Sequence, residues 1–238
     1  MVAYFNQIDN KMYANSVKHN YKNNRNTSVF NYSKLPFNNT PFYNKFSRIT
    51  QRIDTNTIKS NARFQTPIMC RYADSVDWSR VQPSRGGVIV YTVYNGHLYF
   101  GLGVDTKSGD ITDFGGGIRY KKDHTPIQGA LREFMEESLC VFGVYNDKQV
   151  KNNLVVFSET MLILFIHLNV DILQITNTFS NRVVTARNPE ISGLVWLTKP
   201  EFENLIVNGT IDSYFGSKPL YTRVKKLLQK AGDFYKYL

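Results

Sequence analysis

The 238-residue chain has little cysteine: Cys70 and Cys140 are its only two. Two thiols cannot build a disulfide framework, so the sequence points to a reducing compartment. Long hydrophobic runs are also missing. The most apolar stretch, Leu154 to Val170, is broken by Ser158, Glu159 and His167. It is too short and too polar to span a membrane. The start, MVAYFNQIDNKM, lacks a charged segment followed by an apolar run, so no secretory signal is expected. A soluble, cytoplasmic protein with no membrane partner is the expectation. Several chemical motifs are absent as well: G-x4-G-K-[ST], H-E-x-x-H, paired C-x-x-C and G-x-S-x-G. The four histidines, His19, His97, His124 and His167, show no metal-ligand spacing.

Charge is present but uneven. Residues 1–85 hold 13 Lys and Arg against 4 Asp and Glu, whereas residues 86–238 hold 16 against 15. The net charge of +10 therefore belongs almost wholly to the front third. A basic segment attracts polyanions, nucleic acid first among them. A merely solvated extension accounts for the charge equally well. The first 65 residues are rich in Asn, Lys, Tyr and Phe and keep neither a helical nor a strand period. Asn favours turns over regular ladders, yet the recurring aromatics are unlike a disordered composition. The expected division is a basic, irregular N-terminal extension over 1–85 and a folded domain over 86–238.

From Gly86 the pattern changes. Val88 to Tyr94 is apolar and β-branched, Asn95-Gly96 is a strong hairpin signal, and His97 to Val104 reads as the return strand. Ile111 to Phe114 predicts a short strand that runs into Gly115-Gly116-Gly117. Leu154 to Val170 predicts one long strand, straight or bulged, and Ile191 to Leu197 another. Pro200 to Val207 and Pro219 to Ala231 read as helices opened by a first-turn proline. Strands and helices mix without strict alternation, which predicts an α/β fold with a mixed sheet and helices packed on it.

The stretch that carries chemistry is Gly115 to Ser138. Thr125, Pro126 and Gln128 have the spacing of a capped helix start. At 100° per residue, Ile127, Ala130, Leu131, Phe134 and Ser138 share one arc, which predicts the core face. Glu133, Glu136 and Glu137 fall on the opposite arc at i, i+3 and i+4, with Gly129 leaving room above them. Three such carboxylates repel one another by a few tenths of a kcal/mol per exposed pair. A cation removes that repulsion, and oxygen-only ligands suit Mg2+ or Mn2+. On most helices three glutamates are only a solvated acidic face. Here a glycine-rich strand end precedes them, and Arg132 sits where it can orient a carboxylate.

These residues resemble a Nudix box, G-x5-E-x7-R-E-U-x-E-E-x-G-U with U a bulky apolar residue. Arg132-Glu133-Phe134-Met135-Glu136-Glu137 matches its R-E-U-x-E-E core without a gap. Counting strictly back from Arg132, the upstream Glu position falls on His124 and the Gly position on Ile118. If Gly117 is the family glycine, Asp123 takes the acidic position and the loop absorbs one extra residue. The late glycine is replaced by Leu139. The resemblance covers about Gly86 to the C-terminus. It implies a Nudix fold, with a mixed sheet sandwiched between helices, and a metal-dependent hydrolase of diphosphate linkages. It also implies metal ligation by Glu137, Glu133 and Glu136, a backbone carbonyl from Gly116 or Gly117, and a general base among these acids or on a distant loop. Glu190 and Glu159 are candidates for an extra carboxylate, and Lys121 and Lys122 for phosphate or RNA contacts.

The box leaves the substrate open. A basic extension before such a domain resembles the mRNA-decapping enzymes of large DNA viruses, of the mimivirus type. That resemblance implies capped RNA as partner, m7GDP as product and, for a viral protein, the host cytoplasm as location. A hydrolase of dinucleoside polyphosphates or diphosphoinositol polyphosphates is the alternative. A non-catalytic, RNA-binding Nudix-fold protein is a further one, against which the intact acids argue.

Overall fold

In a computed structural model, residues 68–213 and 216–238 are described. The expectations for residues 1–67 lie outside them. The strand β2 (Arg85–Tyr94) and its return β3 (His97–Asp105) form the predicted hairpin. Asn95 and Gly96 both take positive φ, 49° and 77°, the requirement of the two-residue turn that suits twisted strands. Val88 and Val90 point to one face of the sheet and Ile89 to the other, as period-two alternation requires.

Around this hairpin an eight-stranded mixed sheet is assembled in the order β1-β6-β7-β2-β3-β4, with β5 branching from β2 and β8 from β3. Its other strands are β1 (Met69–Tyr72), β4 (Ile111–Thr112), β5 (Phe114–Gly117), β6 (Leu154–Phe157), β7 (Met161–His167) and β8 (Ile191–Thr198). Among the described strands of this sheet, only β2 and β7 pair in parallel. Helices α1 (Pro126–Glu137) and α3 (Ile172–Thr185) cover one face through Ile127, Leu131, Phe134 and Phe179. Helices α4 (Lys199–Asn208) and α5 (Thr222–Ala231) cover the other through Phe202, Leu205, Val224 and Leu227. The expected sandwich of a mixed sheet between helices is therefore what forms. Each fully buried Phe or Leu adds roughly 1.5–3 kcal/mol over its exposed state.

The structure corrects several expectations. The boundary at Gly86 falls inside the fold, since Met69–Tyr72 pairs along β6 as an edge strand. Trp78 covers the core edge-on to Phe157 at 5.3 Å, and its indole N–H donates to the Ala73 carbonyl at 3.0 Å. Leu154 to Val170 is a hairpin, because Ser158 folds back to accept from the amides of Thr160 and Met161. Pro219 ends a strand instead of opening a helix: β9 (Thr210–Ser213) and β10 (Gly216–Pro219) pair before α5 begins. Helix α3 and the one-turn α2 (Asp147–Val150) were not anticipated. His167 sits at the exposed end of β7, its ring 5.1 Å from that of Tyr91. No helix among the described residues is long and apolar enough to cross a membrane.

Candidate active site

Helix α1 begins where its sequence says. The Thr125 side chain accepts from the Gln128 amide at 3.1 Å, and Pro126 occupies the first turn. The Gln128 side chain, however, accepts from the amide of His124 at 3.0 Å instead of that of Thr125. Ile127, Ala130, Leu131, Phe134 and Ser138 are all buried, as the helical arc predicts.

The three acids do not share one solvated face. Glu133 is 7% exposed and packs on Gly116, where an added Cβ would lie 2.5 Å from its Oε2. Glu137 is half-buried and its Oε2 accepts from the Gly115 amide at 2.6 Å. Glu136 alone points to solvent. The split follows from helix geometry, because the acidic arc is about 100° wide and β5 covers one side of it. The space above the acids at Gly129 is filled, since a Cβ there would come within 2.9 Å of Ile118 and 3.1 Å of Asp123.

Arg132 organises the cluster. Its Nε and Nη2 donate to the two oxygens of Asp123 at 3.0 and 2.8 Å. Nη1 donates to Glu133 at 2.6 Å and to Glu136 at 3.3 Å, and Nη2 also reaches the Gly117 carbonyl at 2.9 Å. A planar guanidinium makes this many aligned bonds where a lysine ammonium does not. The Arg132 hydrogen bonds hold Asp123 below the usual carboxylate range, outweighing burial. In turn Asp123 holds the guanidinium above its ordinary value. Asp123 is also fixed by the Arg119 amide at 2.7 Å. The loop alignment that placed Asp123 at the acidic position thus selects the acid that Arg132 grips. The loop itself leans on the segment before β2: the Ile118 amide donates to the Ser84 carbonyl and the Tyr120 hydroxyl to the Pro83 carbonyl.

Burial, with repulsion from Asp113 and Glu190, pushes the Glu137 carboxyl up to about 9, although the Gly115 amide and Arg85 act the other way. Glu190, exposed and just before β8, is therefore an acid from a distant loop whose field reaches Glu137. Its backbone carbonyl is anchored by the Thr106 amide at 2.8 Å. Glu159 lies exposed in the β6–β7 turn, and no interaction among the described residues joins it to the helix acids. Lys121 and Lys122 are exposed in the turn closed by the Lys122 amide on the Arg119 carbonyl. The Gly117 carbonyl, expected to face a metal, already accepts from Arg132.

Sequence reasoning missed Arg85 and Asp113. Asp113 is completely buried and Arg85 8% exposed, and two bonds of 2.7 Å join them. The lone charges at the borders of two apolar strands were the available signal, since buried charges occur where they are paired.

No protein-family model matches the chain, and no curated protein sequence does. Among solved structures it is similar to an Ap4A hydrolase of C. elegans, at 16% identity and a TM-score of 0.33 over 61% of this chain and 92% of that one. A binary complex described as a C. elegans Ap4A hydrolase aligns at 16% identity and a TM-score of 0.37, covering 65% and 98%. The NUDIX domain of Shewanella oneidensis NrtR, complexed with ADP ribose, aligns at 12% identity and a TM-score of 0.37, covering 75% and 96%. Values this low assign no activity, and the functional reading rests on the side chains.

Proposed function

We propose that the chain is a metal-dependent pyrophosphohydrolase of the Nudix type, acting on a diphosphate linkage. One observation carries this reading. Arg132 joins Asp123, Glu133, Glu136 and the Gly117 carbonyl, while the Gly115 amide holds Glu137, so that the buried Glu133 and half-buried Glu137 both lie against the glycines of β5.

The donor chemistry suits a divalent cation. Among the described residues no three His, Cys, Asp or Glu side chains converge on one point. Glu133 and Glu137 nevertheless offer oxygens beside the three consecutive glycines that end β5. Burial first, and then the charges of Asp113 and Glu190, raise the proton affinity of Glu137, and a cation bound beside it would favour the ionised form. Glu133, Glu137 and the more exposed Glu136 would hold Mg2+ or Mn2+. When bound, such an ion neutralises diphosphate oxygens and lowers the pKa of the attacking water. The chain's own part is positional. Arg132 and the Gly115 amide keep the acids from following substrate out of place. Glu190, outside the helix, is the acid assigned to receive the proton of the attacking water.

For the substrate, we favour a small molecule with a nucleoside or inositol diphosphate linkage. The sequence from Ile68 onward is almost charge-balanced, 19 Lys and Arg against 17 Asp and Glu, and so carries little attraction for a long polyanion. The excess positive charge of residues 1–85 supports the second reading, capped RNA with release of m7GDP. The test is to incubate the full chain and Mn2+ or Mg2+ with dinucleoside polyphosphates, ADP-ribose, diphosphoinositol polyphosphates and cap-labelled RNA, and to separate the products. Cleavage of the small diphosphates, lost in Glu133→Gln, supports the first reading. Release of m7GDP alone moves the assignment to decapping, and cleavage of none refutes the hydrolase.

A further inference from the structure

Strand β5 has one edge paired to β2, with Gly87 opposite Gly115 and Arg85 opposite Gly117. Both polar backbone groups of Gly115 are taken by charged side chains. Its N–H donates to Glu137 Oε2 at 2.6 Å, and its carbonyl accepts from Arg85 Nη2 at 2.9 Å. The same Arg85 forks onto Asp113. Two residues on, the Gly117 carbonyl accepts from Arg132, which forks onto Asp123. The glycine strand is thus gripped by two arginines, each locked to an aspartate and each giving one N–H to a glycine carbonyl. Only the second belongs to the box.

The first grip is closely built. The Asp113 carboxylate lies over bare glycine backbone: a Cβ on Gly87 would stand 1.9 Å from its Oδ2, and one on Gly115 2.8 Å. The far side of Arg85 faces the Tyr221 ring, 5.3 Å from its centroid. Thr112 Oγ1 donates to Asp113 Oδ1 at 3.1 Å. The guanidinium has no room to swing, so the Gly115 peptide it holds has none either.

Resting on the hydrolase reading above, we infer that the Arg85–Asp113 pair is a positioning device that fixes the Gly115 peptide and, through its amide, the Glu137 carboxylate. Neither residue touches substrate. Misplacing a reacting group by about 1 Å costs on the order of a hundredfold in rate, so the pair acts on turnover more than on substrate affinity.

Single neutral substitutions leave a buried charge without its partner and threaten the fold itself. The decisive protein is the double variant Arg85→Met/Asp113→Leu, which replaces the pair by apolar side chains of similar volume, an exchange that buried ion pairs often tolerate. Arg85→Lys accompanies it, keeping the charge facing Asp113 but losing the fork that also reaches Gly115. Two readouts are taken on the full-length chain: kcat and KM on the best diphosphate substrate, and the Gly115 amide proton shift in a 1H–15N spectrum without metal. The expected result for both variants is a cooperative unfolding transition, kcat down tenfold or more, KM within twofold, and the Gly115 amide moved upfield as its bond to Glu137 lengthens. Wild-type kcat in the folded double variant overturns the inference. So does a fall in kcat with the Gly115 resonance unmoved, since the loss then has another cause. A wild-type chain that cleaves no diphosphate refutes the hydrolase reading, whereas the Gly115 shift still decides whether the pair holds that peptide.

Discussion

Replacing Glu137 by Gln should make the metal-free protein more stable while abolishing its activity. The carboxyl has an ordinary value of 4.5 and is pushed up to about 9 in the fold, first by burial and then by repulsion from Asp113 and Glu190. Between these two values the folded state binds more protons than the unfolded chain. Stability therefore falls as pH rises through that window, by about 1.4 kcal/mol per pH unit. At pH 7 the window has been crossed for about 2.5 units, a cost of about 3 kcal/mol, with water penetration making this an upper value. Gln has the same shape, keeps an oxygen to accept from Gly115, and does not titrate. The assay is urea denaturation of wild type and Glu137→Gln with chelator present, at pH 5, 6, 7 and 8. The variant's advantage should be small at pH 5 and grow with pH, and saturating Mn2+ should stabilise wild type more than the variant. Parallel stability curves across this range would refute the account of Glu137 as a carboxyl that stays protonated in the folded protein until a cation binds.

Gly116→Ala puts a Cβ 2.5 Å from Glu133 Oε2, and should lower kcat by about a hundredfold with an unchanged circular dichroism spectrum; an unimpaired enzyme argues against Glu133 at the site. Arg132→Lys keeps the charge but loses the fork to Asp123 and should destabilise by about 2 kcal/mol, read as a lower urea midpoint. Cys140 lies exposed with φ at 55°, in the left-handed region after the helix end. Cys140→Gly should therefore gain about 1 kcal/mol, read in the same way. Deleting residues 1–65 should leave cleavage of small diphosphates unchanged and flatten the salt dependence of RNA binding, measured by titration at two salt concentrations; an unchanged slope counts against any RNA role for the basic segment.

Local pattern determined much of this protein. Helix α1, its Thr125 cap and its buried arc follow from a 3.6-residue period over twelve residues. The Asn95-Gly96 hairpin follows from the need for two positive φ values in a row. The charge division and the box acids with Arg132 also stand in the sequence. The hairpin inside Leu154–Val170 did not, because a fully buried strand is apolar on both faces and loses the alternation that marks its ends. Helix α3 was obscured by its β-branched and polar residues, and its order comes from packing Phe179 and Val183 beneath the sheet.

The consequences of the site were tertiary. Which acid is buried and which solvated depended on β5 lying beside α1, since helical phase gives an angle and no neighbour. Arg85 and Asp113 are 28 residues apart, and Glu137 lies 22 from Gly115. Pairings of that range arise from sheet register, which is set by long-range burial that no local period records. The sequence by itself determined which residues are available for chemistry and on which elements they ride. Only the folded sheet decided which of them meet, because a carboxylate's charge state and aim depend on the groups that surround it in space.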